Sequence, residues 1–292
     1  MTDIVLLDGG MGQELIHRAG NRPTPLWSTQ VMRDQPELVR AVHDDYRDAG
    51  ATVHTANTYA ILRDRLAGSP FEDEFAALYD TALTAAAGSG RIAGSMGPLG
   101  ASYRPDLIPP HAEAVAAYTE IAQILAPHVD LFLGETIVSV AHARAVLEAA
   151  ANTDKPVWIA LSVMDVDGSR LRSGEPLEEV FAVADGAAAI LANCSVPEAI
   201  NTAVDVLATS GKPFGAYANG FTHIADGFLG NRPTVDALSA RKDLGPDTYA
   251  DFAMGWVAKG ATIVGGCCEV GPAHIARLAE TIRAAGHRIV TP

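Results

Sequence analysis

The stretch PELVRAVHDDYRDAGATVHTAN, residues 36–57, sets a helix signal against a strand signal, with a glycine at the boundary. Pro36 suits the first turn of a helix, where its missing N–H is no loss, and Gly50 suits the residue that ends one. TVHTAN (52–57) is then too short for a helix and leans toward β-branched residues. A helix feeding a short strand is one unit of an alternating α/β chain.

The unit recurs in both directions. Short apolar runs stand at IVLLD (4–8), RIAGS (91–95), LFLGE (131–135), VWIALS (157–162), AAILAN (188–193), PFGAYAN (213–219) and ATIVGG (261–266). Helix candidates separate them at 71–87, 110–126, 139–151, 177–185, 197–211, 247–259 and 271–286. Eight strands alternating with eight helices predict a parallel α/β fold. In 292 residues that count fits a closed (β/α)8 TIM barrel better than an open doubly wound sheet. No linker or shift in composition divides the chain, so 1–292 reads as one domain. The long connections at 20–35, 97–110, 164–176 and 220–246 are rich in Pro, Gly and Asp and follow strands, on the side where a barrel keeps its site.

Composition narrows the partners. The net charge is −14, from 35 acidic and 21 basic residues without a Lys or Arg cluster. That excludes a nucleic-acid footprint and an anionic membrane surface, both of which need concentrated positive charge. It suits a cationic small molecule, although solubility explains it equally. No apolar run approaches the roughly 18 to 20 residues of a membrane span. The start MTDIVLLDGG has no basic segment of a signal peptide, so a soluble cytoplasmic protein is expected.

A barrel places its chemistry at the C-terminal ends of its strands. Those ends read Asp8-Gly9-Gly10, Asn57-Thr58-Tyr59, Gly94-Ser95, Glu135-Thr136, Ser162, Asn193-Cys194, Asn219 and Gly265-Gly266-Cys267-Cys268. All three cysteines of the chain fall there, on the sixth and eighth predicted strands. Cys194 alone would read as packing. Neighbours such as Cys267 and Cys268 reach one point only if the strand has ended and the chain turns, which Gly265 and Gly266 permit. Three converging thiolates are a tetrahedral zinc site lacking its fourth ligand, and no Cys or His stands at the usual spacing to complete it. His54 and His223, the histidines near strand ends, read as packing or loop residues. An open fourth position reads as catalytic. Three thiolates leave such a centre near a charge of −1, a poor activator of water but suited to holding a substrate thiol as an electron-rich thiolate.

At these residues the sequence resembles the homocysteine S-methyltransferase family. The resemblance runs through LLDGGMGQEL, PELVRAVHDDYRDAGATVHTANTY, GSMGPLG, FLGETI, ILANCS, YANGF and VGGCCEVGPAHI, in the family's order from residue 6 to about 275. It implies a zinc-dependent (β/α)8 barrel that methylates homocysteine to methionine. It further implies Cys194, Cys267 and Cys268 as the zinc ligands, and Asp8, Gly9 and Gly10 as the turn that holds the amino acid. Glu135 is implied as the carboxylate for its ammonium group, and Tyr59 as an aromatic near the metal. Where many members have a Thr-Thr-Pro type turn after the cysteine pair, this chain has EVGP. Backbone amides at the start of the last helix are then the candidates for the substrate carboxylate.

Other residues divide between site and scaffold. Asn57, Asn193 and Asn219 either reach substrate or satisfy backbone groups at the barrel mouth. Trp27 and Tyr103 either line an aromatic pocket for a methyl-onium donor or anchor loops. Arg170 and Arg172 read as a solvated pair, with a grip on a donor carboxylate as the alternative. The partners expected are homocysteine and a small methyl donor, S-methylmethionine ahead of S-adenosylmethionine or betaine, because the chain has no room for folate or cobalamin domains; a homo-oligomer is allowed. Two other readings stay open: a barrel enzyme that cradles phosphate on the glycines after the eighth strand, and a non-catalytic zinc-binding protein.

Overall fold

The computed structural model describes residues 1–20, 26–224, 226–229 and 238–292. Its strands are β1 (Asp3–Leu6), β2 (Val53–Ala56), β3 (Arg91–Met96), β4 (Leu131–Ile137), β5 (Val157–Leu161), β6 (Val163–Met164), β7 (Asp167–Leu171), β8 (Ala189–Asn193), β9 (Phe214–Tyr217), β10 (Ile263–Val264) and β11 (Arg288–Ile289). Its α-helices are α1 (Met11–Arg18), α2 (Trp27–Asp34), α3 (Pro36–Asp48), α4 (Arg63–Leu66), α5 (Phe75–Ala86), α6 (His111–Leu125), α7 (Val140–Ala150), α8 (Pro197–Leu207), α9 (Pro246–Ala258) and α10 (Pro272–Ala284). Among the described residues no helix is long and apolar enough to cross a membrane.

The opening stretch forms as its signals dictate. Pro36 starts α3, and Gly50 follows its end at φ +105°, a conformation that side chains resist. Val39, Val42, His43 and Tyr46 make the buried stripe of that helix at helical spacing.

Nine strands form one curled parallel sheet in the order β11-β1-β10-β9-β8-β5-β4-β3-β2. Residues beyond β1 come back against the far end of that order. Leu7 bridges Val53 in parallel, Thr52 N–H donates to Leu6 O at 2.7 Å, and Asp8 N–H donates to Val53 O at 3.1 Å. β11 is an addition at the start of β1, pairing Asp3 with Arg288 and Ile4 with Ile289. Period-two alternation sorts the apolar side chains into two layers. Val5, Leu7, Val53, Leu131, Leu133, Ala160, Leu191 and Ile263 pack together inside the curl. Ile4, Leu6, Phe132, Ile159 and Ile190 face the helices. Both faces are buried, which is why these strands read as apolar runs.

Three expectations are corrected. Residues expected as a helix at 177–185 form a 3-10 helix, Leu177–Val183, bounded by Pro176 and the turn at Asp185-Gly186. The connection at 164–176 carries the antiparallel hairpin β6–β7, which turns at Asp165-Val166 just before the Asp167 carboxylate accepts from Ser169 N–H at 3.0 Å. Strict alternation also fails at the start, where α1, α2 and α3 follow β1 in succession.

Candidate functional site

Cys194 follows β8 directly and sits at φ +48°, a left-handed conformation costing roughly 1–3 kcal/mol outside glycine. Cys267 and Cys268 come two glycines after β10. A Cβ on Gly265 would lie 2.5 Å from Leu7 Cβ, and one on Gly266 would lie 2.2 Å from Val270 Cγ1, so only glycine lets the chain turn here. Backbone bonds fix the turn. Gly266 N–H donates to Asp8 O at 2.9 Å, Cys267 N–H to Ala218 O at 2.9 Å, and Gly220 N–H to Cys268 O at 2.7 Å. The Gly266 and Cys267 amides are therefore spent on carbonyls, which removes the support for a phosphate cradle on these glycines.

The turn brings the three thiols together. Cys194 Sγ lies 2.9 Å from Cys267 Sγ and 3.9 Å from Cys268 Sγ, and all three sulfurs are within 4.8 Å of one another. Zinc–thiolate bonds of about 2.3 Å in a tetrahedron put sulfurs about 3.8 Å apart, which matches Cys194 with Cys268 and asks Cys194 and Cys267 to part by about 0.9 Å, within reach of side-chain rotation. Its charge state points the same way. Hydrogen bonds from Cys267, then from Cys268, hold the Cys194 thiol well below its ordinary value, and the same contacts with Cys194 push Cys267 and Cys268 well above theirs. Left to themselves, three thiols stabilise one negative charge; a divalent cation is what allows all of them to ionise.

These sulfurs form one wall of a cavity of about 110 Å³, which is also lined by Gly9, Gly10, Gln13, Asn57, Tyr59, Tyr103, Glu135, Thr136 and Tyr217. Glu135 is 9% exposed and accepts from Tyr217 Oη at 2.9 Å and from Ser95 Oγ. Burial pushes its pKa up to about 7, against the pull of those two donors. A carboxylate in that position is short of a cation. Asp8 is turned differently. Its carboxylate accepts from Thr55 N–H at 2.7 Å and Thr55 Oγ1 at 3.0 Å, and burial pushes its pKa up to about 8. Asp8 and Thr55 line the cavity together with Gly9 and Gly10. The turn is held against the cysteine pair, since Gly10 N–H donates to Val270 O at 2.9 Å and a Cβ on Gly10 would lie 2.6 Å from Cys267 O.

The remaining candidates separate. Asn57 lines the cavity and accepts from Ser28 Oγ at 2.8 Å. Asn193 Oδ1 accepts from Thr136 N–H at 3.1 Å and Asn219 Oδ1 from Phe221 N–H at 3.1 Å, both in backbone-satisfying roles. Tyr59 lines the cavity with its hydroxyl 2.8 Å from Ser102 Oγ. The hydroxyl that meets a thiol belongs instead to Tyr103, 3.0 Å from Cys194 Sγ. A sulfur ionised to hold a metal has no proton to give, so in that state the phenol donates and Cys194 Sγ accepts. The side chain of Trp27 lies outside the described residues. Arg170 is exposed, whereas Arg172 is not the solvated residue expected: it pairs with Asp165 at 2.8 Å, each side chain 12% exposed. His223 is exposed, and His54 points away from the thiols toward His43.

Tyr217 and Gln13 were missed by the sequence reading, while Ser95 and Thr136 stood among the strand ends without a role assigned to them. Tyr217, the last residue of β9, was within reach of the strand-end rule, since it shares the inner layer with Leu191 and Ile263. Gln13 carries no signal, being a polar residue in a short helix that happens to be buried.

Comparison with known proteins gives a consistent result. A family model described as homocysteine S-methyltransferase matches residues 5–282. The homocysteine S-methyltransferase of Escherichia coli (strain K12) is 30% identical over 308 residues, covering 94% of each chain. Homocysteine S-methyltransferase 4 of Zea mays is 28% identical, covering 96% of this chain and 90% of that one. The metallated form of the homocysteine methyltransferase MmuM from Escherichia coli superposes with a TM-score of 0.79 at 27% identity, over 96% of each chain.

Proposed function

This chain belongs to the homocysteine S-methyltransferase family, and on that premise we propose that it moves a methyl group from a small methyl-onium donor to the sulfur of homocysteine, with zinc held by Cys194, Cys267 and Cys268. The observation that carries this reading is the meeting of three sulfurs and the cation-seeking Glu135 on the walls of one cavity. The same reading takes the curled sheet as an eight-membered (β/α)8 barrel in one domain over 1–292, with β11 appended and the site at the C-terminal ends of the strands. The Leu7–Val53 bridge supports that closure.

Cys194, Cys267 and Cys268 would hold a zinc ion, which when bound would supply a centre that favours the thiolate form of an added thiol at neutral pH and keeps its sulfur electron-rich. The residues of the chain do the rest. Glu135, held by Tyr217 and Ser95, receives the ammonium of homocysteine, while the Asp8-Gly9-Gly10 turn, with Asn57 and Tyr59 on the wall, fixes the amino-acid end. Tyr103 donates to Cys194 and steadies the sulfur wall. The acceptor thiol gives its proton to solvent, and its sulfur forms the new bond to the methyl carbon as the carbon–onium bond breaks. That electron pair stays on the donor, which leaves neutral. The work asked of the protein is alignment of three atoms in line.

S-methylmethionine is the favoured donor, ahead of S-adenosylmethionine and betaine, and a cavity of about 110 Å³ leaves little room for an adenosyl group. The test is a panel of methyl-labelled donors with homocysteine, read out as labelled methionine. Wild-type protein is expected to prefer S-methylmethionine, and Cys268→Ala to lose both its zinc and the transfer. Zinc-free wild-type protein with full activity would overturn the reading.

A further inference from the structure

Below the Asp8-Gly9-Gly10 turn a second group of metal-binding side chains lies between the sheet and α3, reaching the cavity wall at Asp8. His54 alternates along β2 with Val53 of the inner layer, so its ring points to the helix layer. There α3 presents His43 from its buried stripe, the two rings meeting edge-on with centres 6.1 Å apart. Asp8 completes the group. Both histidines are fully buried and Asp8 is 3% exposed.

None of the four imidazole nitrogens has a hydrogen-bond partner. The Ala51 carbonyl lies near enough to favour a charged His54 without closing a bond. Orphaned polar atoms are rare in sealed interiors because they give up water for nothing. Burial keeps both rings neutral, at about 3 for His43 and about 4 for His54, and neutral imidazole is the form that binds metal. The Asp8 carboxylate has lone pairs left, since Thr55 supplies two donors and a carboxylate accepts roughly four. One ligand atom from each of the three residues lies within 4.8 Å of the other two. A tetrahedral ion with bonds of about 2.1 Å needs them about 3.4 Å apart, a closure within reach of side-chain rotation.

We infer that Asp8, His43 and His54 form a second metal site, separate from the thiols, for a first-row divalent cation such as Zn2+. Two imidazoles and a carboxylate suit such an ion, whereas the thiol trio selects a softer partner. An ion there would fasten α3 to β1 and β2 beneath the turn whose backbone faces the cavity. The inference does not depend on methyl transfer.

The test starts from a thiol-free protein, Cys194→Ser with Cys267→Ser and Cys268→Ser, produced in zinc-supplemented medium. Elemental analysis is expected to find about one zinc per chain, and His54→Leu in that background to remove it. X-ray absorption on the wild-type protein decides the matter even if the thiol-free chain fails to fold. Imidazole scattering beside the sulfur shell, lost in His54→Leu while the sulfur shell persists, is expected at about two zinc ions per chain. One zinc per chain without imidazole scattering would overturn the site and leave the four nitrogens to buried water.

Discussion

The phenolic oxygen of Tyr103 stands 3.0 Å from Cys194 Sγ, and the Arg172 guanidinium lies over the same ring, 5.2 Å from its centre. A donor aimed at a sulfur ligand sets both its orientation and its charge, and removing such outer partners typically costs ten- to a hundredfold in metal affinity. Tyr103→Phe should therefore weaken zinc binding by about tenfold with the fold intact. Competition against a chromophoric chelator measures this, and unchanged affinity would show that the hydroxyl does not serve the sulfur.

Arg172 itself is part of a buried clamp. Its guanidinium meets both oxygens of Asp165, at 2.8 and 3.1 Å, and that carboxylate also accepts from Val196 N–H at 3.3 Å and Ile224 N–H at 3.0 Å. Removing one partner leaves the other's charge stranded, which costs about 3 kcal/mol at a site this enclosed. Arg172→Met should lower the denaturant midpoint accordingly. Adding Asp165→Leu should restore part of the loss, because the stranded charge goes with it. A double variant weaker than the single one by the full second cost would argue against coupling.

Gly10 and Gly12, two residues apart, should behave in opposite ways. A Cβ on Gly10 would meet Cys267 O at 2.6 Å and Cys268 Cα at 3.1 Å, both backbone atoms that cannot swing aside. A Cβ on Gly12, inside α1, finds only Ser28 at 3.7 Å or more. Gly10→Ala should displace the cysteine pair and reduce bound zinc, whereas Gly12→Ala should keep its zinc and gain up to about 1 kcal/mol from helix propensity. Elemental analysis beside thermal unfolding separates the two.

The fold was legible because parallel strands buried on both faces announce themselves as apolar runs, and the boundaries at Pro36, Gly50, Pro197 and Pro272 are covalent constraints that context cannot override. The thiol trio was legible for a related reason: adjacent cysteines after two glycines make sense only where the chain turns. Less legible was everything set by backbone conformation. Among the described residues the non-glycine positions at positive φ are Tyr103, Thr136, Cys194 and Glu269, all in or beside the cavity, and none is a residue type that advertises a left-handed conformation. Hence Tyr103 rather than Tyr59 meets the sulfur. Arg172 escaped for want of any sequence signal that Asp165, seven residues away across a hairpin, would turn back to it.

Glu135 offers the test with a pH signature. Its folded-state pKa of about 7 lies above the ordinary value of 4.5 because burial disfavours the charge. The sign follows from that order. Between the two values the free folded protein holds a proton that the unfolded chain has released, so as pH rises toward 7 this residue detracts from the stability of the free fold. An ammonium group arriving in the cavity reverses the preference by pairing with the carboxylate. Homocysteine binding should thus be strong above pH 7 and fade as pH falls through it, when the carboxyl takes up its proton and the ammonium loses its partner. Glu135→Gln should make that acidic limb shallower, leaving only the fall set by release of the acceptor's thiol proton, and lower affinity at pH 8 by about ten- to a hundredfold, the worth of a charge-assisted bond of roughly 1.5–3 kcal/mol. Zinc content should not change, since Glu135 contributes nothing to the sulfur wall. Calorimetric titration of homocysteine from pH 5.5 to 8.5 on both proteins decides it. A variant that keeps the wild-type acidic limb would assign that proton to another group and take Glu135 out of acceptor recognition.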